Sequence, residues 1–67
     1  MFKLIFQYWN EFGEGYYEES VWGETKSEVK SKALEISRRR GDGTYFIVAL
    51  YDYRAENSKI VSNQVAV

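Results

Sequence analysis

The 67-residue chain contains no cysteine, no histidine and no proline. Without cysteine there are no disulfides, thiolate metal ligands or thiol nucleophiles, and without histidine the usual metal ligand is missing. A small chain without disulfide crosslinks is typical of a reducing compartment, so we expect a cytoplasmic protein without a cofactor. No apolar run reaches the roughly 18 residues of a membrane helix and the start of the chain has no cleavage pattern, so we expect a soluble protein.

The short length predicts one domain, residues 1–67, with a core that buries only roughly 60% of the unfolded surface. The remaining candidates for acid, base or nucleophile are carboxylates, lysines, serines and tyrosines, and they form no recognisable catalytic constellation. No metal site is expected either, because Glu18 and Glu19 point to opposite sides of a strand and Asp42 lacks companion oxygen ligands. The composition therefore favours a protein that is not an enzyme.

Strand periodicity and glycine-bearing loops divide the first third of the chain. Residues 2–9 alternate in the way of a strand, with Phe2, Leu4, Phe6 and Tyr8 on one side. Residues 16–22 form a second, weaker strand, and the short loop NEFGEG predicts an antiparallel hairpin.

A helix is predicted from Thr25 to Arg40. Thr25 and Glu28 have the spacing of a capping box, in which each side chain satisfies an amide of the first helical turn. Apolar residues recur on one stripe at Val29, Ala33 and Ile36, and Gly41 is placed to end the helix.

Residues 44–53 are the strongest predicted strand, and residues 59–67 a weaker fourth after the loop RAENS. The predicted fold class is therefore α+β, with element order β-β-α-β-β and a four-stranded antiparallel sheet carrying one helix on one face. We prefer the strand order 2-1-3-4 to 1-2-3-4, because it makes every neighbour antiparallel and puts the two most apolar strands in the middle.

The stretch GYYEESVWGETKSEVKSKALEI joins a hairpin strand to a capped helix with alanine at its centre. It resembles the hairpin-helix passage of HicB-type antitoxins and of various small phage proteins, over about a third of the chain. The longer strand-bearing segment that HicB-type proteins place before the helix is missing here. The resemblance brings no functional motif, so no residue role is transferred.

One helix covers only one face of a four-stranded sheet, and the alternation sorts the side chains between the two faces. The covered face is predicted to hold Phe2, Leu4, Phe6, Phe46, Val48, Leu50, Val61 and Val65. The opposite face is predicted to show Ile5, Trp9, Tyr45, Ile47, Ala49, Tyr51 and Tyr53, with Trp22 as a further candidate. Exposed aromatic surface of this kind marks a contact surface, covered by a partner or a second copy. Alternatively, the sheet curls so that aromatics of both faces share one core.

Charge is divided along the chain, although the formal net charge is −1. The first hairpin is acidic, and Glu11, Glu14, Glu18 and Glu19 are candidate contacts for a basic partner. Arg38, Arg39 and Arg40 at the helix end are candidate phosphate contacts, or simply a solvated terminus that complements the helix dipole.

The sequence thus predicts a small binding protein that docks on another protein through the aromatic face, the acidic hairpin, or both. Compact chains of this kind are common among phage and mobile-element products that inhibit or redirect host machinery, so a phage-like inhibitor is one expectation. A single-stranded nucleic-acid binder that uses the tyrosines and the three arginines ranks second. A self-assembling subunit, such as a homodimer, ranks third.

Overall fold

A computed structural model describes residues 1–53 and 63–64 of the chain. The strands are β1 (Phe2–Asn10), β2 (Gly15–Gly23), β3 (Tyr45–Asp52) and the two-residue β4 (Asn63–Gln64), and the helix α1 runs over Lys26–Arg40. The predicted first and second strands, the helix and the third strand are thereby confirmed to within one or two residues. The predicted loop over residues 54–58 lies outside the described residues.

The first three strands form an antiparallel sheet in the order β2-β1-β3, with α1 on one face. This confirms the α+β class and the predicted position of the first strand between the second and the third. The two residues of β4 pair antiparallel with Tyr51 and Asp52 of β3. The rest of the strand expected over 59–67, including Val61 and Val65, lies outside the described residues, and a full fourth strand stays a prediction.

The core lies between α1 and the middle of the sheet. Its buried hydrophobic side chains are Phe2, Leu4, Phe6 and Tyr8 of β1, Val29 and Ala33 of α1, and Leu50 of β3. Ile36 packs against this cluster from the helix, as the predicted stripe requires. Alternate residues of β1 therefore face the helix along its whole length.

A β-bulge in β3 changes which of its residues face the helix. Ile5 pairs with Ala49, but the next residue of β1, Phe6, pairs with Ile47, so Val48 has no partner in β1. An extra residue of this kind reverses the alternation on one side of the bulge. Leu50 faces the core as predicted, whereas Ile47 and Tyr45 also pack against it. The expectation that Tyr45 and Ile47 lie on the face away from the helix is therefore wrong.

The opposite correction applies to Phe46 and Val48, which were expected in the core. Their side chains are 53% and 47% exposed. The Phe46 ring lies 6.4 Å from that of Tyr16, on the side of the sheet away from α1. Relative to simple alternation, the bulge thus moves Tyr45 and Ile47 to the helix face and Phe46 and Val48 away from it, and both faces stay apolar.

The helix begins at the predicted cap. The Thr25 hydroxyl oxygen accepts a hydrogen bond of 3.0 Å from the Glu28 backbone N–H. In a capping box the Glu28 carboxylate would accept a hydrogen bond from the Thr25 backbone N–H. Here it accepts instead from the Glu24 backbone N–H at 3.0 Å. It also lies 3.1 Å from Nζ of Lys32, which donates to the Trp22 carbonyl oxygen and so ties α1 to β2.

The helix ends at Gly41, as predicted. The Gly41 and Gly43 backbone N–H groups both donate to the Ser37 carbonyl oxygen, at 2.8 and 3.1 Å. Gly41 is extended, with φ −150°, so a left-handed turn is not what requires glycine there. A Cβ at this position would lie 2.0 Å from the Trp9 carbonyl oxygen, and glycine is required because the backbones of the helix end and β1 approach so closely.

Candidate functional site

The face of the sheet opposite α1, here called the open face, presents side chains from β1, β2 and β3. Cross-strand pairing places these residues together: Lys3, Ile5, Gln7 and Trp9 of β1; Tyr16, Glu18, Ser20 and Trp22 of β2; Phe46, Ala49 and Tyr51 of β3. Val48, at the bulge, is exposed beside them. An antiparallel sheet with one covered face normally shows polar residues to water. Here much of the open face is aromatic instead.

Three rings make up the hairpin-end cluster, defined as Trp9, Tyr16 and Phe46. The Trp9 and Tyr16 rings are 5.2 Å apart and the Tyr16 and Phe46 rings 6.4 Å apart, both in edge-to-face arrangements. The side chains of Trp9 and Tyr16 remain 39% and 64% exposed. The rings therefore pack in the geometry found in protein cores, while much of their surface remains exposed to solvent.

A second aromatic group lies at the other end of the open face. The rings of Trp22 and Tyr53 are 5.1 Å apart, and Nζ of Lys3 lies 5.4 Å from the centre of the Trp22 ring. This distance is within the range of a cation-π interaction. Tyr51 pairs with Lys3 across the strands and is half-buried.

Smaller and more polar side chains separate the two aromatic groups. Ser20, Ile5 and Ala49 form one row across the strands, and in the next row Glu18 and Gln7 lie beside Phe46 of the hairpin-end cluster. Trp9 and Lys3 are six residues apart along β1, so the aromatic ends are separated by roughly 20 Å at 3.3 Å per residue. The open face thus has an aromatic group at each end.

The predicted acidic surface of the hairpin is divided by the sheet. Glu18 is exposed on the open face, and Glu11 and Glu14 lie in the exposed loop between β1 and β2. Glu19, in contrast, lies on the helix face, where its Oε2 accepts from the Tyr8 hydroxyl and from Nη1 of Arg40, both at 2.7 Å. Glu19 therefore lies on the opposite face of the sheet from Glu18, because neighbouring strand residues point to opposite faces, and its carboxylate is bound within the molecule.

The three arginines are not a single free cluster. Nη1 of Arg40 pairs with Glu19 and also lies 3.5 Å from the Tyr8 hydroxyl oxygen. The hydrogen bond with Tyr8 and then the charge of Glu19 raise the pKa of Arg40 above its ordinary value, since both favour the charged guanidinium. Arg38 and Arg39 are exposed on the helix, on the other side of the sheet from the aromatic open face.

Tyr8 and Asn10 connect the Glu19–Arg40 ion pair to the hairpin loop between β1 and β2. The sequence predicted neither role. Both side chains are buried, and Nδ2 of Asn10 donates to the Tyr8 hydroxyl oxygen at 3.4 Å. Oδ1 of Asn10 accepts from the backbone N–H groups of Phe12 and Gly13, each at 2.9 Å, and so shapes the hairpin loop. The burial of Tyr8 follows the alternation of Phe2, Leu4 and Phe6, which is the signal that could have identified it.

A groove of about 400 Å³ runs between α1 and β3. Its lining consists of Lys26, Ser27, Lys30, Ser31, Leu34 and Tyr45. The groove is shallow and open, and the described residues that line it include no carboxylate. Within the described ranges, no group of three or more acidic side chains is arranged to hold a metal ion.

Comparisons of the chain with protein-family models, with curated proteins and with solved structures give no match. Among the described residues, no helix has the length and apolar character needed to cross a membrane. Over the described residues the fold defines the class: a small α+β protein in which the helix α1 packs on the antiparallel strands β2, β1 and β3.

Proposed function

We propose that this chain is a small non-enzymatic binding module that docks on another protein through the open face. The main observation behind the proposal is the hairpin-end cluster, in which the Tyr16 ring packs against those of Trp9 and Phe46 while all three residues remain exposed. Tryptophan and tyrosine are enriched in protein interfaces, where they bury large areas at small entropic cost. Each 100 Å² of apolar surface removed from water contributes about 2.5 kcal/mol before ordering costs.

The rigidity of the open face supports docking over a solvated role. The cluster lies on paired strands, and the loop beside it is held by Asn10 and by the Glu11 backbone N–H, which donates to the Arg40 carbonyl oxygen at 2.9 Å. A surface that is already ordered loses little conformational entropy on binding. For a small chain of this kind, inhibition or redirection of the bound protein is the favoured consequence of docking.

The placement of charge favours a protein over single-stranded nucleic acid. Stacked bases need cations beside the aromatic platform to hold the phosphates. On the open face the positive side chain is Lys3, already positioned over Trp22, and Glu18 is negative. Arg38 to Arg40 lie with the helix on the opposite side, so the rings and the arginines do not form one surface.

The test is affinity capture from the source cells with the full chain and two matched variants. Phe46→Glu places a charge in the hairpin-end cluster, whereas Ser27→Glu adds the same charge at an exposed position in the first turn of α1, where an acid suits the helix dipole. A protein held by the unmodified chain and by Ser27→Glu, but lost with Phe46→Glu, supports the proposal once the purified pair reproduces the difference.

Other outcomes overturn it. Equal capture by all three chains would place the binding surface elsewhere. Recovery of single-stranded nucleic acid, with affinity that falls steeply with salt and with alanines at Arg38 to Arg40, would favour the second candidate. Sedimentation as a stable dimer that Phe46→Glu dissociates would identify a second copy as the occupant.

A further inference from the structure

We infer that the hairpin end of the open face recognises a basic segment of the partner, with an arginine or lysine side chain seated on the rings of Trp9, Tyr16 and Phe46. This inference rests on the proposed function and names the chemistry of the partner. It follows from a difference in charge between the two ends of the open face.

One end of the open face already contains a cation on an aromatic ring. Lys3 lies over the Trp22 ring, with Nζ 5.4 Å from its centre. The negative face of an aromatic ring attracts a positive group placed above it. At this end of the open face the Trp22 ring therefore already has a cation from the same chain.

The hairpin end has more exposed ring surface, and none of the described residues places a cation on its rings. Among the described residues of the open face, the basic side chain is Lys3, which lies at the far end. Around the hairpin-end cluster the charged groups are acidic: Glu18 on the same face of β2, two residues from Tyr16, and Glu11 and Glu14 in the adjoining loop.

These carboxylates differ from the acids on the helix side of the sheet. Glu19 pairs with Arg40 and Glu28 pairs with Lys32, at 2.7 and 3.1 Å. In the part of the chain that the structure describes, Glu11, Glu14 and Glu18 form no such ion pair. Exposed rings bordered by unpaired carboxylates are complementary to a guanidinium or ammonium group, which gains both ring and carboxylate contacts.

The test uses synthetic peptides and the intrinsic fluorescence of Trp9. The chain contains two tryptophans, so Trp22→Phe leaves Trp9 as the reporter at the hairpin end. Hexa-arginine and hexa-lysine are titrated against this chain up to about 1 mM, a range that detects weak single-segment contacts. Hexa-glutamate and a single-stranded oligothymidylate serve as the contrasting probes.

Two variants and a matched control locate the contact. Glu18→Gln removes one charge from the open face, and Tyr16→Leu keeps apolar bulk but removes the ring. Glu35→Gln removes the same charge from an exposed position on α1. Glu18→Gln and Tyr16→Leu should each weaken the affinity for hexa-arginine about threefold, and Glu35→Gln should leave it unchanged.

Saturable change of Trp9 fluorescence by the basic peptides, with this pattern of variants, supports the inference. The absence of any change, equal weakening by Glu18→Gln and Glu35→Gln, or tighter binding of hexa-glutamate or the oligothymidylate would overturn it. If the basic peptides fail while capture of a protein still depends on Phe46, the inference fails and the proposed function stands. If capture does not depend on Phe46, the proposed function itself fails.

Discussion

Oε2 of Glu19 lies 2.7 Å from Nη1 of Arg40 and joins β2 to the last turn of α1. The two residues are 21 positions apart and belong to the acidic and basic parts of the chain that the sequence suggests as separate binding surfaces. Their contact neutralises one charge of each part within the molecule. Glu11, Glu14 and Glu18 of the acidic part and Arg38 and Arg39 of the basic part lie outside this contact.

The Tyr8 hydroxyl is buried between this ion pair and Asn10. It donates to Glu19 at 2.7 Å and accepts from Asn10 at 3.4 Å. Tyr8→Phe should lower the free energy of unfolding by about 1.5 kcal/mol, because the buried Asn10 amide and the Glu19 carboxylate each lose a partner. Urea denaturation measures the change. Tyr16→Phe, at an exposed position, is the control and should shift the midpoint little; equal effects would argue against the network.

The bulge at Val48 makes a prediction opposite to that of simple alternation. Ile47 packs against the core and Val48 is 47% exposed. Ile47→Ala should therefore cost about 1 to 2 kcal/mol of stability, and Val48→Ala less than about 0.5 kcal/mol. Thermal or urea unfolding of the two variants compares them directly. A larger loss of stability for Val48→Ala than for Ile47→Ala would indicate a regular register without the bulge, with Tyr45 and Ile47 on the open face.

The close approach of Gly41 to β1 predicts intolerance of any side chain. A Cβ there would meet the Trp9 carbonyl oxygen at 2.0 Å, and a backbone atom moves only with its strand. Gly41→Ala should lower the free energy of unfolding by about 3 kcal/mol. Gly15→Ala is the matched control, because its nearest neighbour would be 3.9 Å away. Similar denaturation midpoints for both variants would contradict the observed contact between the helix end and β1.

The N-cap of α1 predicts a moderate effect at Thr25. Its hydroxyl satisfies the Glu28 backbone N–H, which has no partner within the helix. Thr25→Ala should cost about 1 kcal/mol without changing the fold. Circular dichroism checks the fold and urea denaturation the stability. Ser27→Ala provides the comparison, and a larger loss there would mean that the helix begins two residues later.

The lowered pKa of Glu28 predicts that the protein loses stability as the pH becomes acidic. Its hydrogen bond from the Glu24 N–H, and then the contact with Lys32, lower its pKa below the ordinary value of 4.5. A lowered pKa in the folded state stabilises the protein above the unfolded pKa, and this stabilisation is lost as the pH falls through the folded value. The unmodified chain should therefore have a higher urea denaturation midpoint than Glu28→Gln at neutral pH. This difference in midpoint should disappear as the pH falls below 4.5.

Repeating the comparison in a chain that also carries Lys32→Gln separates the two causes of the lowered Glu28 pKa. Because the hydrogen bond from the Glu24 N–H is the larger cause, the difference in denaturation midpoint should shrink but persist without Lys32. Complete loss of the difference would assign the effect to the ion pair instead. A difference independent of pH would mean that Glu28→Gln acts through packing.

The elements were predictable because their signals are local. Thr25, the stripe of Val29 and Ala33, and the glycine at position 41 delimit the helix within a few neighbours along the chain. The hairpin loop predicts that β2 pairs with β1, and placing the two most apolar strands in the middle favours the order β2-β1-β3 over the alternative. The candidate surface was predictable in part: Ile5, Trp9 and Tyr51 lie on the open face, as does the further candidate Trp22.

Composition and local patterning predict the α+β arrangement and a second, aromatic face of the sheet. The face that each residue of β3 occupies follows from the three-dimensional fold, because every position from Tyr45 to Tyr51 is apolar or aromatic and no polar residue there marks the outside. The bulge at Val48 depends on pairing with β1, and the Glu19–Arg40 contact depends on where the helix end meets β2. Such distant contacts form only when the chain has folded, so no pattern along it records them.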